Sequence, residues 1–575
     1  MARALETIVA KLIGEAEPQG VQFDPGKTEL IHFARQRRPI TEGLTVANLA
    51  VKPKPLVKWL GVWLDYQLNF KHHVTEKLEQ ATKAFQGLQR LGNTQHGLPA
   101  RALRLLYIAC ISSIVDYGVP LWYKGPGQKN LIYQLQQLQN LALARILGAF
   151  KRSPYKALEL EAAIPPVEVR LQKACLKYGL RTQTLSETHP IRLAITSTAA
   201  PTQLTRLLAS LDKAIGKYER IERQDLVWQA PWNKEPKATI LISQASKKEA
   251  KKQHLQLLED LTFDNYRAFY TDGSQGTHKG TSTNSCAYYE DSPSRQTEAA
   301  KTARVARFWN LGPYIEVADA ELIAISKVLD ALLLSRTNQP TAYIFVDSQA
   351  AIMKIKGPGE ISYRIRAQLH LLSQQSIAIT VAWVPSHTGI PGNEIADQLA
   401  KKGLEASYRG RPYASLSYLN RKIRKVIVQQ WQTSWASEEM REETGQRARG
   451  LGTQYRRIAQ DNLSFSLKAN LVKGPRPTQS AYIQLKLGIG YLKSYQKAIK
   501  NLPDDRCRCS QRHTTQHLLL RCSRYQGPRK ALQKALGPGA QLTLQKLFTT
   551  KLGKEALIGF LTSTKICTRS WFLEE

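Results

Sequence analysis

Long hydrophobic runs are missing from this chain of 575 residues. The most apolar window, Leu105–Tyr123, is interrupted by Asp116, Gly118 and Pro120, so no stretch reads as a membrane span and no membrane partner is expected. A secretory leader is not expected either, because Met1–Glu15 is amphipathic and carries acids. Acidic residues are scarce beside basic ones: 46 Asp and Glu against 82 Lys and Arg, a formal net charge of +36. The excess is spread along the chain, which excludes a single basic tail and points to a polyanionic partner, nucleic acid first. Cysteine is sparse, with seven in all. Cys110, Cys175, Cys286 and Cys567 stand alone, mostly among apolar neighbours. That pattern excludes a secreted disulfide framework and suits reduced thiols inside a cell. No fixed-period repeat is present.

What remains is enough for packed cores, since 42% of the residues are hydrophobic, and the length suits about three to four domains. Residues 1–70 read as a helix followed by GVQFDPGKTELIHF, a turn and strand, and by KWLGVWLDYQLNF (58–70), a strand pair. Residues 71–190 read as helices: Val74, Leu78, Ala81, Phe85 and Leu88 keep helical spacing, and Pro165–Pro166 marks a break. Residues 191–262 read as a linker, Ser/Thr-rich first and then a solvated basic helix, SKKEAKKQHLQLL. Residues 263–405 alternate strands and helices. Residues 406–480 read as a helical linker with Trp431 and Trp435, and residues 481–575 as a helical region with a Cys/His cluster.

The stretch 263–405 predicts three strands, a helix, a strand, helices, a strand and a helix, a layered α/β domain. Four acids fall at its element ends. Asp272 closes the first strand in AFYTDGS, before a turn. Glu321 opens the long helix Ala318–Ser335 after an Asp319 cap. Asp347 ends TAYIFVD, on the face of Tyr343 and Phe345. In VAWVPSHTGIPGNEIADQLAK (381–401), Asn393 is the expected N-cap and Asp397 lies in the first turn, where the helix dipole favours a carboxylate. Singly, each acid reads as an ordinary turn or cap residue. Together, with parallel strands bringing Asp272 beside Asp347, they are costly unless cations share the site. Oxygen-only ligands select Mg²⁺ or Mn²⁺ over zinc. Two such ions roughly 4 Å apart can activate a water and stabilise a leaving oxygen on phosphorus.

AFYTDGS, DAELIAI around Glu321, FVDSQAA around Asp347 and WVPSHTGIPGNEIADQLAKKG resemble type I ribonuclease H in the form carried by retrotransposon polyproteins, over residues 266–404. The resemblance implies a multidomain α/β chain with a central mixed five-stranded sheet, flanked by mainly helical segments. It implies an endonuclease cutting the RNA strand of an RNA–DNA hybrid, with Asp272, Glu321, Asp347 and Asp397 as the metal-binding acids. His387 would sit on a mobile loop and serve proton transfer or product release. Gly273, Ser274, Ser348 and Asn393 would line the nucleic acid. The basic helical protrusion of many cellular members has no counterpart, because only GPGEIS (357–362) separates the two helices after Asp347. Substrate grip would then come from flanking segments.

The flanks resemble other parts of a non-LTR (LINE-like) element protein. FDPGKTELIHF, with Lys27, is similar to the strand after a reverse transcriptase catalytic site, and KWLGVWLD to the primer-grip hairpin. On this likeness 1–70 is a palm remnant and 71–190 the thumb and connection. The polymerase's own aspartate pair is missing: neither YTDG (270–273) nor Asp504–Asp505 has a strand–turn–strand setting, so no polymerase activity is expected. CRCSQRHTTQHLLLRC offers Cys507, Cys509, His517 and Cys522, a valid structural zinc set, with His513 as a competing ligand or a surface residue. This cluster resembles the terminal zinc knuckle of the same class. The alternative is a non-catalytic nucleic-acid-binding remnant of a retroelement. A basic intracellular protein acting on element copies points to the nucleus.

Overall fold

The computed structural model describes the chain except residues 1, 198–201, 225–237, 262–265, 279, 292–304, 336–339, 409–412, 444–452 and 460–464. Residues 1–175 together with 427–575 form one unit, and residues 176–426 a second.

The second unit is organised around a mixed sheet. Its elements in chain order are β1 (Thr239–Leu241), α1 (Lys247–Asp260), β2 (Tyr266–His278), β3 (Thr281–Glu290), β4 (Ala306–Gly312), α2 (Val317–Leu334), β5 (Thr341–Val346), α3 (Gln349–Lys354), α4 (Glu360–Gln374), β6 (Ala378–Trp383) and α5 (Pro391–Gly403). The six strands lie in the order β1-β6-β5-β2-β3-β4. Neighbours from β1 to β2 are parallel, and β2, β3 and β4 are antiparallel. Parallel central strands are covered on both faces. Period-two alternation sends Phe269, Ile344, Val346 and Val381 toward α2, α3 and α4. Ala268, Tyr270, Phe345 and Ala382 face the other way, toward Leu257 and Leu258 of α1 and Ala396 of α5.

The five-strand expectation is corrected to six. The added strand, β1, and the helix after it lie in residues 191–262, where a linker was expected. β1 pairs with β6 through Thr239↔Thr380, Ile240↔Val381 and Leu241↔Ala382. The helix is the basic one expected there, but it is not solvated throughout: Ala250 and His254 are enclosed, and Leu257 and Leu258 pack on the sheet. AFYTDGS is also not a strand and turn: β2 runs on to His278, since Asp272 and Gly273 pair with Ala287 and Cys286 of β3. The expected strand at 303–311 begins outside the described residues and is seen as β4.

The first unit is mainly helical, with helices such as Lys71–Leu91, Lys129–Leu147, Tyr155–Ala162, Arg476–Leu487 and Lys551–Thr564. Leu56–Trp59 and Val62–Asp65 form the expected hairpin, turning at Leu60 and Gly61, both at positive φ (45° and 78°), as a two-residue hairpin turn requires. TELIHF does not form the expected strand; among the described residues it contributes one bridge, Leu30↔Pro53. The helix Arg476–Leu487 is buried at every residue but Pro477. Its Lys486 donates to Glu161 at 2.5 Å, and Tyr455 donates to the same oxygen at 2.8 Å. Burial pushes the Glu161 carboxyl up, but the Lys486 ammonium outweighs it and holds the group below its usual range. Among the described residues no helix is long and apolar enough to cross a membrane.

Candidate active site

The site forms where β5 ends, beside the middle of β2. Val346 of β5 is paired with Thr271 of β2, so the next residue on each strand, Asp347 and Asp272, is an acid. Glu321 comes to them from α2 because Gly273 lets strand and helix touch. A Cβ at Gly273 would lie 2.8 Å from the Glu321 backbone nitrogen and 3.0 Å from the Ala320 Cβ. The Gly273 backbone also hydrogen-bonds the carboxyl groups of both Asp272 and Glu321. Asp347 is held twice: its carbonyl accepts from the Trp383 indole at 2.9 Å, and its side chain bonds Asn393.

Oxygens of Asp272, Glu321 and Asp347 lie within 4.8 Å of one another. Asp397 belongs to a second group, in which His387, Glu394 and Asp397 meet within the same distance. Asp397 is paired with Lys401 at 2.6 Å, one turn along α5. Its charge still reaches the first group. Burial, then Asp347, then Asp397 push the Asp272 carboxyl up to about 8. Burial, then Asp272 and Asp347, raise Glu321 well above its ordinary range. Asp347 is raised chiefly by burial, with the Asn393 bond and the His387 charge opposing. Glu321 Oε2 is buried without a hydrogen-bond partner.

Three local expectations are corrected. Asp319 is not a cap: α2 starts after Glu316, and Asp319 lies in its first turn, fully enclosed and paired with Lys354. Glu321 is therefore three residues deeper in the helix than an Asp319 cap would place it. Asn393 is not an N-cap, because α5 begins at Pro391 after Ile390; proline suits that first position, since its fixed φ is helical and its missing N–H is not needed. Asp397 consequently stands in the second turn, where the Lys401 pair and not the helix N-terminus supplies the positive charge.

The residues expected to line a nucleic acid are placed variously. Gly273 is a packing contact. Ser274 is half-buried within β2. Ser348 caps α3, accepting from the Ala351 amide at 3.3 Å. Asn393 is buried against Asp347, with its Oδ1 unpartnered. His387 is exposed at φ 54°, on a loop joined to α5 by the Gly389 amide, which donates to Glu394 at 3.3 Å. Glu394 was missed in the sequence; its signal was the i, i+3 spacing to Asp397.

Cys507, Cys509, His517 and Cys522 also converge within 4.8 Å. Cys522 Sγ lies 3.8 Å from both Cys507 Sγ and Cys509 Sγ, and Cys509 Sγ lies 3.0 Å from His517 Nε2. These are not disulfides. A tetrahedron of Zn–S bonds of about 2.3 Å has S···S edges of about 3.8 Å. His513 is neither ligand nor surface residue. It is fully buried beside Trp571, its Nδ1 accepting from the Lys493 amide at 3.2 Å, and burial brings it down to about 4.

Residues 264–405 match the family model of RNase H. The RNase H domain thus covers β2 through α5 and leaves β1 and α1 outside it. The chain is also similar to two mobile-element proteins. One is the "Probable RNA-directed DNA polymerase from transposon BS" of Drosophila melanogaster, 27% identical over 181 residues, which is 31% of this chain and 20% of that protein. The other is the "Retrovirus-related Pol polyprotein from type-1 retrotransposable element R1 4" of Nasonia vitripennis, 29% identical over 125 residues, 22% of this chain and 31% of that protein. The matches span less than a third of either relative.

Proposed function

We propose that this chain is a retroelement endonuclease that hydrolyses the RNA strand of RNA–DNA hybrids at the RNase H domain. The observation that carries the reading is the convergence of Asp272, Glu321 and Asp347 within 4.8 Å, at a cost in repulsion that their raised proton affinities record. A purely structural cluster would be relieved by basic partners, yet Glu321 Oε2 is enclosed with none. The donor set is all oxygen, which fits Mg²⁺ or Mn²⁺. Asp272, Glu321, Asp347 and Asp397 would hold two such ions, which when bound generate a nucleophile at neutral pH and offset charge on the scissile phosphate.

The chain's own residues do the rest. Asn393 and Trp383 orient Asp347. Gly273 keeps Asp272 against Glu321. His387 stands beside Asp397 and open to solvent, where an imidazole can move a proton at the leaving oxygen or ease product departure. The net charge of +36 suits attraction of the hybrid's phosphates. Cys507, Cys509, His517 and Cys522 would hold a structural zinc, since thiolate and imidazole donors at tetrahedral spacing select it. No polymerase chemistry is assigned: Asp504 and Asp505 lie on a loop, and Asp272 is mid-strand. In this reading residues 1–70 and 71–190 serve as palm remnant and helical scaffold.

The test is Mg²⁺-dependent cleavage of a labelled RNA–DNA hybrid by the full chain and by Asp347→Asn. Cleavage by the parent with a loss of at least about a hundredfold in the variant is expected. No cleavage by the parent, or equal cleavage by both, overturns the enzyme and leaves a nucleic-acid-binding protein.

A further inference from the structure

The loop carrying His387 is gripped from outside the matched domain. Two lysines one turn apart on α1 point at it. Lys247 Nζ donates to the Ser386 carbonyl at 3.3 Å and to its hydroxyl at 3.2 Å. Lys251 Nζ donates to the Thr388 carbonyl at 2.6 Å. The two contacts bracket His387, whose φ of 54° is uncommon for a residue with a side chain. Such a conformation persists when its surroundings hold it. Here they do so on both sides, because the Gly389 amide is also tied to Glu394.

The helix is itself firmly seated. His254 donates to or accepts from the Tyr270 hydroxyl at 3.1 Å and packs edge-on to Phe345 at 4.6 Å between ring centres. Leu257, Leu258 and Leu261 join the same core. Tyr270 lies two residues before Asp272 and Phe345 two before Asp347, so α1 rests on the strands that carry the acids. The positive charge of Lys247 also acts on Asp347.

We propose that Lys247 and Lys251 are positioning residues of the active site: by clamping the carbonyls on either side of His387 they set the height and direction of its imidazole over Asp397. The proposal rests on the RNase H reading for its catalytic consequence, but not for the clamp. It gives the stretch between β1 and β2 a role in the reaction.

The experiment compares six full-length proteins: the parent, Lys247→Ala/Lys251→Ala, Lys247→Arg/Lys251→Arg, His387→Ala, His387→Ala combined with the alanine pair, and Lys248→Ala/Lys252→Ala. The last removes equal charge from the same helix without touching the loop contacts. Cleavage of an RNA–DNA hybrid gives kcat and KM, and amide exchange at short labelling times reports residues 385–390. The clamp predicts a kcat about tenfold lower in the first double variant with KM within about twofold, and recovery with arginine, which still donates to a carbonyl. It also predicts faster exchange across 385–390 and no further loss when the pair is added to His387→Ala. A rise in KM shared by both alanine pairs would mean simple phosphate attraction and overturn the clamp. Unchanged exchange at 385–390 overturns it too, whatever the activity. If the parent cleaves nothing, the RNase H reading falls and the exchange result alone decides the clamp.

Discussion

Gly273 is the residue on which the acids' spacing turns. Its role was legible only as a neighbour of Asp272, because a close approach of strand to helix leaves no local mark in sequence. Gly273→Ala should force β2 from α2, costing about 1–3 kcal/mol by overpacking, and should lower hybrid cleavage more than the stability loss explains; urea melts beside cleavage rates separate the two. The acids themselves were legible only as a set: singly each read as a turn or cap residue, but four carboxylates brought together are costly unless cations share the site. Asp272 allows a signed pH prediction. Its folded pKa of about 8 lies above the ordinary 3.8, so its contribution to stability is full below about pH 4 and lost as pH rises through 8. Without added divalent ions, Asp272→Asn should therefore be more stable than the parent at pH 8 and closer to it at pH 5. Denaturation at the two pH values checks this. Added Mg²⁺ should raise the parent's midpoint and leave the variant's nearly still.

At the scale of elements, sequence periodicity located β3, β5, β6, α2 and α4 because their apolar residues obey one period throughout. It failed at two places. Asp-Gly is a turn signal, and here the pairing with β3 overrode it. The basic helix α1 was expected, but its lysine richness disguised the buried stripe traced by Ala250, His254, Leu257, Leu258 and Leu261. His254 carries a consequence. Burial brings it to about 4 from 6.5, so the packing of α1 is fully stable above pH 6.5 and weakens as pH falls toward 4, when the unfolded chain takes up the proton first. His254→Gln, which can keep the Tyr270 contact, should flatten that loss. The measurement is the urea midpoint at pH 7.5 and 5.0, and an equal drop in both proteins would refute it.

Over the whole molecule, composition told of the charge and the reduced thiols, and spacing told of the Cys/His set. What composition could not tell is that 1–175 and 427–575 build one unit, since contacts such as the Ala100 amide to Gln479 at 2.9 Å join residues with no sequence relation. The Lys486–Glu161 pair is of this kind. Lys486→Met should leave an enclosed carboxylate unpaired and cost about 3 kcal/mol, read by chemical denaturation, with Glu161→Gln/Lys486→Met recovering much of it. For the Cys/His set, Cys522→Ser should abolish stoichiometric zinc in the purified protein and lower the melting temperature of the first unit.

The division of the first unit between the two ends of the chain has a consequence for synthesis. A ribosome delivers residues 176–426 whole, and they can close on their own strands as they emerge. Residues 1–175 leave earlier but must wait through the 251 residues of 176–426 before the first of their partners, from 427 on, is made. At about 5–20 residues per second, that interval is tens of seconds in which a basic, partly assembled scaffold is exposed to chaperones and to cellular RNA.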